Sequence, residues 1–160
     1  MKSPAPGAVR IVLLLLLIGC NSDSELSLPA PPAGYPTAYA TAACGPADGP
    51  AVRLFLAAEP AEVLPPPAPF VEVAIWQGVT SLSNRRIEWT SGSSDGNARR
   101  CDAAGACEEA MSVAVQFRPI GADTTLTGTV TLVFAGGSTV AGGFNAAWRP
   151  SQLLIGKLKQ

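Results

Sequence analysis

Between Thr125 and Trp148 most of the large apolar residues fall on even positions. "TLTGTVTLVF" places Leu126, Val130, Leu132 and Phe134 there, with threonines at 125, 127, 129 and 131. "VAGGFNAAW" continues the parity with Val140, Phe144, Ala146 and Trp148. Side chains in a strand alternate with period two, so the pattern predicts strands over 125–134 and 140–148, each with one buried face. The two even sets share a face only if paired residue numbers sum to an even value. Phe134 opposite Val140 meets that condition; Val130 then faces Phe144, and Leu126 faces Trp148. A three-residue loop around "GGS", with a glycine in the left-handed region, fits the join.

Four earlier stretches alternate in the same way. "AVRLFLA" predicts a strand over 51–57, with Val52, Leu54 and Leu56 opposed to Arg53 and Phe55. "FVEVAIWQ", 70–77, sets Val71, Val73 and Ile75 against Phe70, Glu72, Ala74 and Trp76. "RRIEWT", 85–90, pairs Ile87 with Trp89 and turns Arg86, Glu88 and Thr90 outward; "MSVAVQF", 111–117, turns Met111, Val113, Val115 and Phe117 inward. "CGPADGP" and "SGSSDGN" (91–97) are turn chemistry. "EPAEVLPPPAP", 59–69, holds too much proline for a helix interior or a central strand. It reads as a connection capping a sheet edge, or as an extended proline-rich ligand for a partner. "SQLLIGKLKQ" at the end fits a seventh strand or a short helix. Six strands, short turns and one apolar face each predict an all-β fold: an antiparallel β-sandwich over 38–160, with a small β-barrel as the alternative.

The N-terminus departs from this pattern. Eight apolar residues, Ile11 to Ile18, follow a start whose only charges are Lys2 and Arg10. Eight helical residues cover roughly 12 Å, and a bilayer core needs about 20 residues. A basic start, a short apolar run and a small residue make an export signal. Leu17-Ile18-Gly19-Cys20 resembles the lipobox of bacterial lipoproteins. That resemblance implies a diacylglyceryl thioether on Cys20, cleavage before it, and a signal peptide over residues 1–19. It also implies acylation of the new amino group in Gram-negative bacteria. One acyl chain holds a protein only marginally, while two or more anchor it stably. In such lipoproteins Asp after the cysteine favours the inner membrane; Asn21 therefore points to the outer membrane, facing the periplasm or the cell surface. Residues 20–37 read as the lipidated cysteine and a Pro-rich tether. Sixteen extended residues reach roughly 50 Å.

Without residues 1–19 the chain keeps 141 residues, enough for one domain. Nine basic residues then stand against 12 acidic ones, about −3 in net charge, with no basic cluster beyond Arg85-Arg86 and Arg99-Arg100. A nucleic-acid groove is not expected. Glycine and proline supply 31 of 160 residues, which argues against a helix bundle. The chain has no histidine, which removes Ser-His-Asp and Cys-His nucleophile systems and the HExxH zinc motif. Carboxylate-only chemistry survives, and Glu72 with Glu88 is the pair to test. No cofactor is expected, and three cysteines without histidine make a poor metal site. Asp95-Gly96-Asn97 resembles a calcium loop only in fragment, since calcium takes six to eight oxygens; it reads first as a turn.

"CDAAGAC" separates Cys101 from Cys107 by five residues that include a glycine, and a tight hairpin would bring them to disulfide distance. Cys44 is left over. Arg99 and Arg100 beside Asp102, Glu108 and Glu109 read as cross-strand salt partners. The threonine row reads as an ordinary solvated strand face. Trp76 shares a face with Glu72, so placing Glu72 outside exposes the indole; it is the candidate contact surface. The sequence therefore predicts a lipid-anchored envelope module, non-catalytic, that meets an envelope protein or glycan. A carboxylate hydrolase and a passive spacer are the alternatives.

Overall fold

The computed structural model describes residues 27–121 and 125–149. Eight strands run in order: β1 (Thr37–Cys44), β2 (Pro50–Ala57), β3 (Phe70–Ile75), β4 (Arg86–Thr90), β5 (Gly96–Cys101), β6 (Cys107–Phe117), β7 (Thr125–Phe134) and β8 (Thr139–Arg149). The described residues contain no α-helix, only three short 3-10 turns. All-β is correct; the sandwich is not. β1 pairs with β2, β2 with β3, β3 with β5, both β4 and β5 with β6, β6 with β7 and β7 with β8, and β1 closes on β8, giving a closed seven-stranded barrel.

Eight strands fill seven positions because β4 and β5 share one. Both lie on the same side of β6: β4 pairs along 112–116, and β5 pairs along 107–109. The excursion over 91–95 breaks what would otherwise be one strand. An up-and-down path through seven positions, an odd number, leaves the first and last strands running the same way. Closure must then be parallel, and β1 pairs with β8 in parallel from Ala38↔Ala146 to Thr41↔Arg149. Sandwich and barrel strands carry the same one-sided pattern, so alternation alone does not choose between them. The choice falls to β1, "TAYATAAC", whose alanine-rich inner face lacks the bulky residues that mark a strand.

The interior is filled. Val52, Leu54, Leu56, Val71, Val73, Ile75, Val115, Phe117, Leu126, Val130, Leu132 and Phe134 are all buried inside. Fully burying a side chain of this size contributes about 1.5–3 kcal/mol. Leu82, in the β3–β4 connection, is buried in the same core, and Val79, Ile120 and Trp148 pack against that core. Tyr35 packs on the core from the N-terminal segment, and Pro32 is buried. The Gln116 carbonyl and the Phe144 ring leave space for no side chain at Gly128. Phe117 and Phe144 meet edge-to-face at 5.8 Å, and a Cβ on Gly128 would stand 2.8 Å from Phe144 Cζ.

Three sequence expectations change. The β7–β8 hairpin pairs Leu132 with Val140, Gly128 with Phe144 and Leu126 with Ala146. That is two residues from the expected register, and the parity and the shared face are kept. The loop is three residues, Ala135 to Gly137, with Gly136 at φ 72° and Gly137 at φ 81°. Met111, expected inside, is exposed, because a β-bulge between Ala110 and Ser112 turns it out and seats Ala110 in the core. Part of the proline-rich N-terminal segment, read as tether, packs on the barrel. Gly143 N–H donates to the Ala30 carbonyl at 2.8 Å, and a Cβ on Gly142 would meet Pro32 N at 2.5 Å. Since β1 joins β8 only from Ala146 on, the earlier part of that edge is open, and the Pro29–Pro32 segment crosses it there.

Candidate functional site

The described side chains buried inside the barrel are apolar, and the charged groups stand on its outer wall. The wall of β1, β2, β3 and β5 carries a second apolar layer: Tyr39, Phe55, Ala57, Phe70 and Cys101, covered by Ala61 and Leu64 of the 58–69 connection. Phe55 and Phe70 meet edge-to-face at 6.2 Å. The Tyr39 hydroxyl accepts the Ala61 N–H at 2.7 Å, and the Thr37 hydroxyl donates to the Ala57 carbonyl at 2.9 Å. The proline-rich stretch is therefore a cover on the outer face of the sheet, where the sequence reading expected it to cap a sheet edge. Only Val63 among its large apolar side chains is strongly exposed.

Below this cover the wall turns polar. Glu72 lies on the outer face, yet it is 6% exposed. A buried carboxylate needs partners, and strand register supplies them. Arg99, directly opposite on β5, gives it two hydrogen bonds of 2.8 and 2.7 Å to Oε2. Arg53 on β2 stands 3.4 Å from Oε1, an ion pair longer than a hydrogen bond. Arg149 lies with its guanidinium carbon 5.3 Å from the Tyr39 ring centroid. Pairing puts Arg149, Thr41 and Arg53 abreast on β8, β1 and β2, followed by Ala74 and Asn97 on β3 and β5.

Trp76 stands just beyond Ala74 on the same face. It is half-buried: its backbone N–H donates to the Asp95 carbonyl at 2.9 Å, and its ring lies against Gly45. The indole belongs to neither apolar cluster. The expected exposure thus holds in part, with one face covered by the β1–β2 turn.

The opposite wall has a groove where the 91–95 excursion leaves β6. It encloses about 550 Å³ and is lined by Glu88, Thr90, Ser93, Asp95, Ser112, Ala114 and Thr131, with Trp89 in its floor. Thr131 brings the end of the threonine row into this groove. Glu88 is engaged by Arg86, and Asp95 accepts from the Ser93 hydroxyl at 3.0 Å. Asp95 serves the turn, as its sequence context suggested.

Glu72 and Glu88 are not brought together. Glu72 sits on β3 among arginines; Glu88 sits on β4, which pairs only with β6. The disulfide joins Cys101 to Cys107 across the β5–β6 hairpin, with a Cα separation of 4.1 Å. Asp102 holds that turn by accepting the N–H groups of Ala104 and Ala106 at 2.9 and 3.0 Å. Arg100 pairs with Glu108 at 2.7 Å and covers Phe134 at 4.4 Å, so this arginine is a cross-strand salt partner. Cys44 is free and exposed. Among the described residues Tyr35 is the one group with a shifted acidity: burial raises its pKa above 10.0, and the Arg100 charge opposes that rise. Among the described residues no cluster of metal-ligating side chains occurs. Cys20 and residues 150–160 lie outside the described residues.

Sequence reasoning missed the arginine row. Arg53 and Arg149 are 96 positions apart, and only the parallel seam between β1 and β8 brings them to one level. Comparison with protein-family models, with curated proteins and with solved structures returned no match, so the reading of this wall rests on its geometry.

Proposed function

We propose that the chain is a bacterial envelope lipoprotein, held to the membrane by lipid on Cys20, whose barrel is a non-catalytic binding or structural accessory module. The leader carries the first half of this reading: a basic start, a run too short to span a bilayer, and a lipobox-like Leu17-Ile18-Gly19-Cys20. The second half is carried by one observation: Trp76 stands half-exposed on the outer wall of a barrel whose interior is full. A large aromatic with one face seated and the other in water is a common anchor of binding surfaces. The outer membrane, facing the periplasm or the surface, is the proposed location, and an envelope protein or glycan the proposed partner.

Two measurements test the halves separately. Mass spectrometry of the protein made in a bacterial host should show a mature start at Cys20 carrying acyl chains, and Cys20→Ser should retain the leader. An intact methionine start with a bare thiol at position 20 refutes anchoring. A photo-crosslinking residue at position 76 of the full chain should capture an envelope component that the same residue at position 88 does not. Equal yields at both positions remove Trp76 as the contact.

A further inference from the structure

We infer that the row Arg149–Thr41–Arg53 is a binding site for an oxyanion group (phosphate, sulfate or carboxylate) carried by the ligand of the Trp76 wall. This deepens the binding role proposed above and rests on it for the ligand's identity, while the anion site stands on its own geometry.

Three observations carry it. First, toward the described residues the two arginines have uncommitted donors. Arg53 touches Glu72 only as an ion pair at 3.4 Å, and Arg149 only as a cation over the Tyr39 ring. Neither guanidinium makes a hydrogen bond to another side chain or backbone group among the described residues. Each carries five N–H donors in a fixed fork suited to oxyanions. Second, Glu72 does not need Arg53. Its hydrogen bonds come from Arg99, which is committed to it through both Nε and Nη2. Glu72 thus stands between two guanidiniums, with the hydrogen-bonded charge on the Arg99 side and the excess positive charge on the Arg53 side. Third, the register fixes the spacing. Arg149 and Arg53 flank Thr41 on adjacent strands, so their Cα atoms are about 10 Å apart, two strand spacings. That span lets two long side chains converge on one tetrahedral or carboxylate group above Thr41. The threonine itself is 8% exposed, and its hydroxyl has only a long 3.4 Å bond to the next carbonyl. Trp76 and Asn97 border the same level, offering a ring face and an amide to the remainder of the ligand.

A structural role for both arginines is the competing account. It predicts that removing either charge alters stability and leaves anion binding unchanged. The full chain, extracted in a zwitterionic detergent, is titrated with inorganic phosphate while the arginine Nε–H resonances are followed by NMR. Arg53 and Arg149 should shift together and saturate, while Arg86 on the opposite wall stays still. Arg53→Gln and Arg149→Gln should each weaken the apparent affinity about two- to five-fold, the worth of one half-exposed charged contact. The conservative Arg53→Lys should recover part of that loss. A second arm replaces free phosphate with phosphatidylglycerol vesicles, using phosphatidylcholine vesicles as the blank. Saturation by free phosphate assigns a soluble anion; binding seen only on the anionic vesicles, and lost in both variants, assigns a lipid headgroup. Absence of saturable shifts in both arms, or binding indifferent to both substitutions, overturns the site. Anchoring is read separately from the mass at Cys20. A crosslink lost at position 76 with anion binding intact refutes the partner reading alone.

Discussion

Gly128 offers the sharpest test of the packed barrel. It lies on β7 opposite Phe117 of β6 and Phe144 of β8, both of them buried. A Cβ there would stand 2.8 Å from Phe144 Cζ and closer still to the Gln116 carbonyl oxygen. Ordinary contacts begin near 3.4 Å, so the ring must retreat by about 0.6 Å at the least. Phe144 is held edge-on against Phe117 and has little room to move, and the Gln116 carbonyl belongs to the β6 backbone. Overpacking of this kind costs about 1–3 kcal/mol. Replacing glycine restricts the unfolded chain and returns about 0.4–1 kcal/mol. Gly128→Ala should therefore destabilise by about 1–2 kcal/mol, lowering Tm by about 4–8 °C for a domain of this size. Urea unfolding followed by tryptophan fluorescence measures the midpoint. Gly49→Ala is the control: its φ is −67° and its nearest neighbour lies 3.5 Å from a new Cβ, so it should be neutral or slightly stabilising. Equal midpoints for the two variants would refute the tight approach of β6, β7 and Phe144.

Three further outcomes are expected. Gly143→Ala should push the Pro29 backbone off β8, read as at least roughly ten-fold faster hydrogen exchange at the residue 143 amide; unchanged protection would show that the segment does not depend on the close approach. Replacing both Cys101 and Cys107 with alanine should cost about 2 kcal/mol, the loop entropy of a short ring, and a loss well above that would mean the hairpin turn is not held by Asp102. Tyr35 should contribute a fall in stability as pH rises. Its folded pKa is raised by burial, so the unfolded chain ionises first; stability is full below pH 10 and declines from about pH 10 up to the folded pKa. Tyr35→Phe should flatten the stability profile in that window, and an unaltered slope would place the ring in water.

Strands with bulky alternation were legible. Val52, Leu54 and Leu56, then Val71, Val73 and Ile75, then Ile87 and Trp89 all face the core as their spacing implies. β1 and β5 were not, since "TAYATAAC" and "GNARRC" carry alanine, glycine and arginine where a one-sided apolar face would show. Their strand character comes from neighbours: Ala40 and Ala98 suffice inside because rings and branched chains fill the space around them. Met111 misled because its alternation is sound and a single extra residue breaks the ladder. At the site, the Cys101–Cys107 pairing followed from local spacing. The buried state of Glu72 could not follow, because Arg99 is 27 positions away and the covering loop reads as polar and proline-rich.

If Cys20 carries the proposed lipid, the contact between Ala30 and Gly143 sets how far the barrel can travel. Lipid on Cys20 would leave nine Cα steps before Pro29 meets β8, and a fully extended chain spans at most about 3.6 Å per step. The leash is then about 32 Å instead of the roughly 50 Å of an undocked tether. The folded unit would hover within one protein diameter of its bilayer. A ligand for its outer wall would have to lie on that membrane or come to it, since the barrel has too little slack to cross a wide gap.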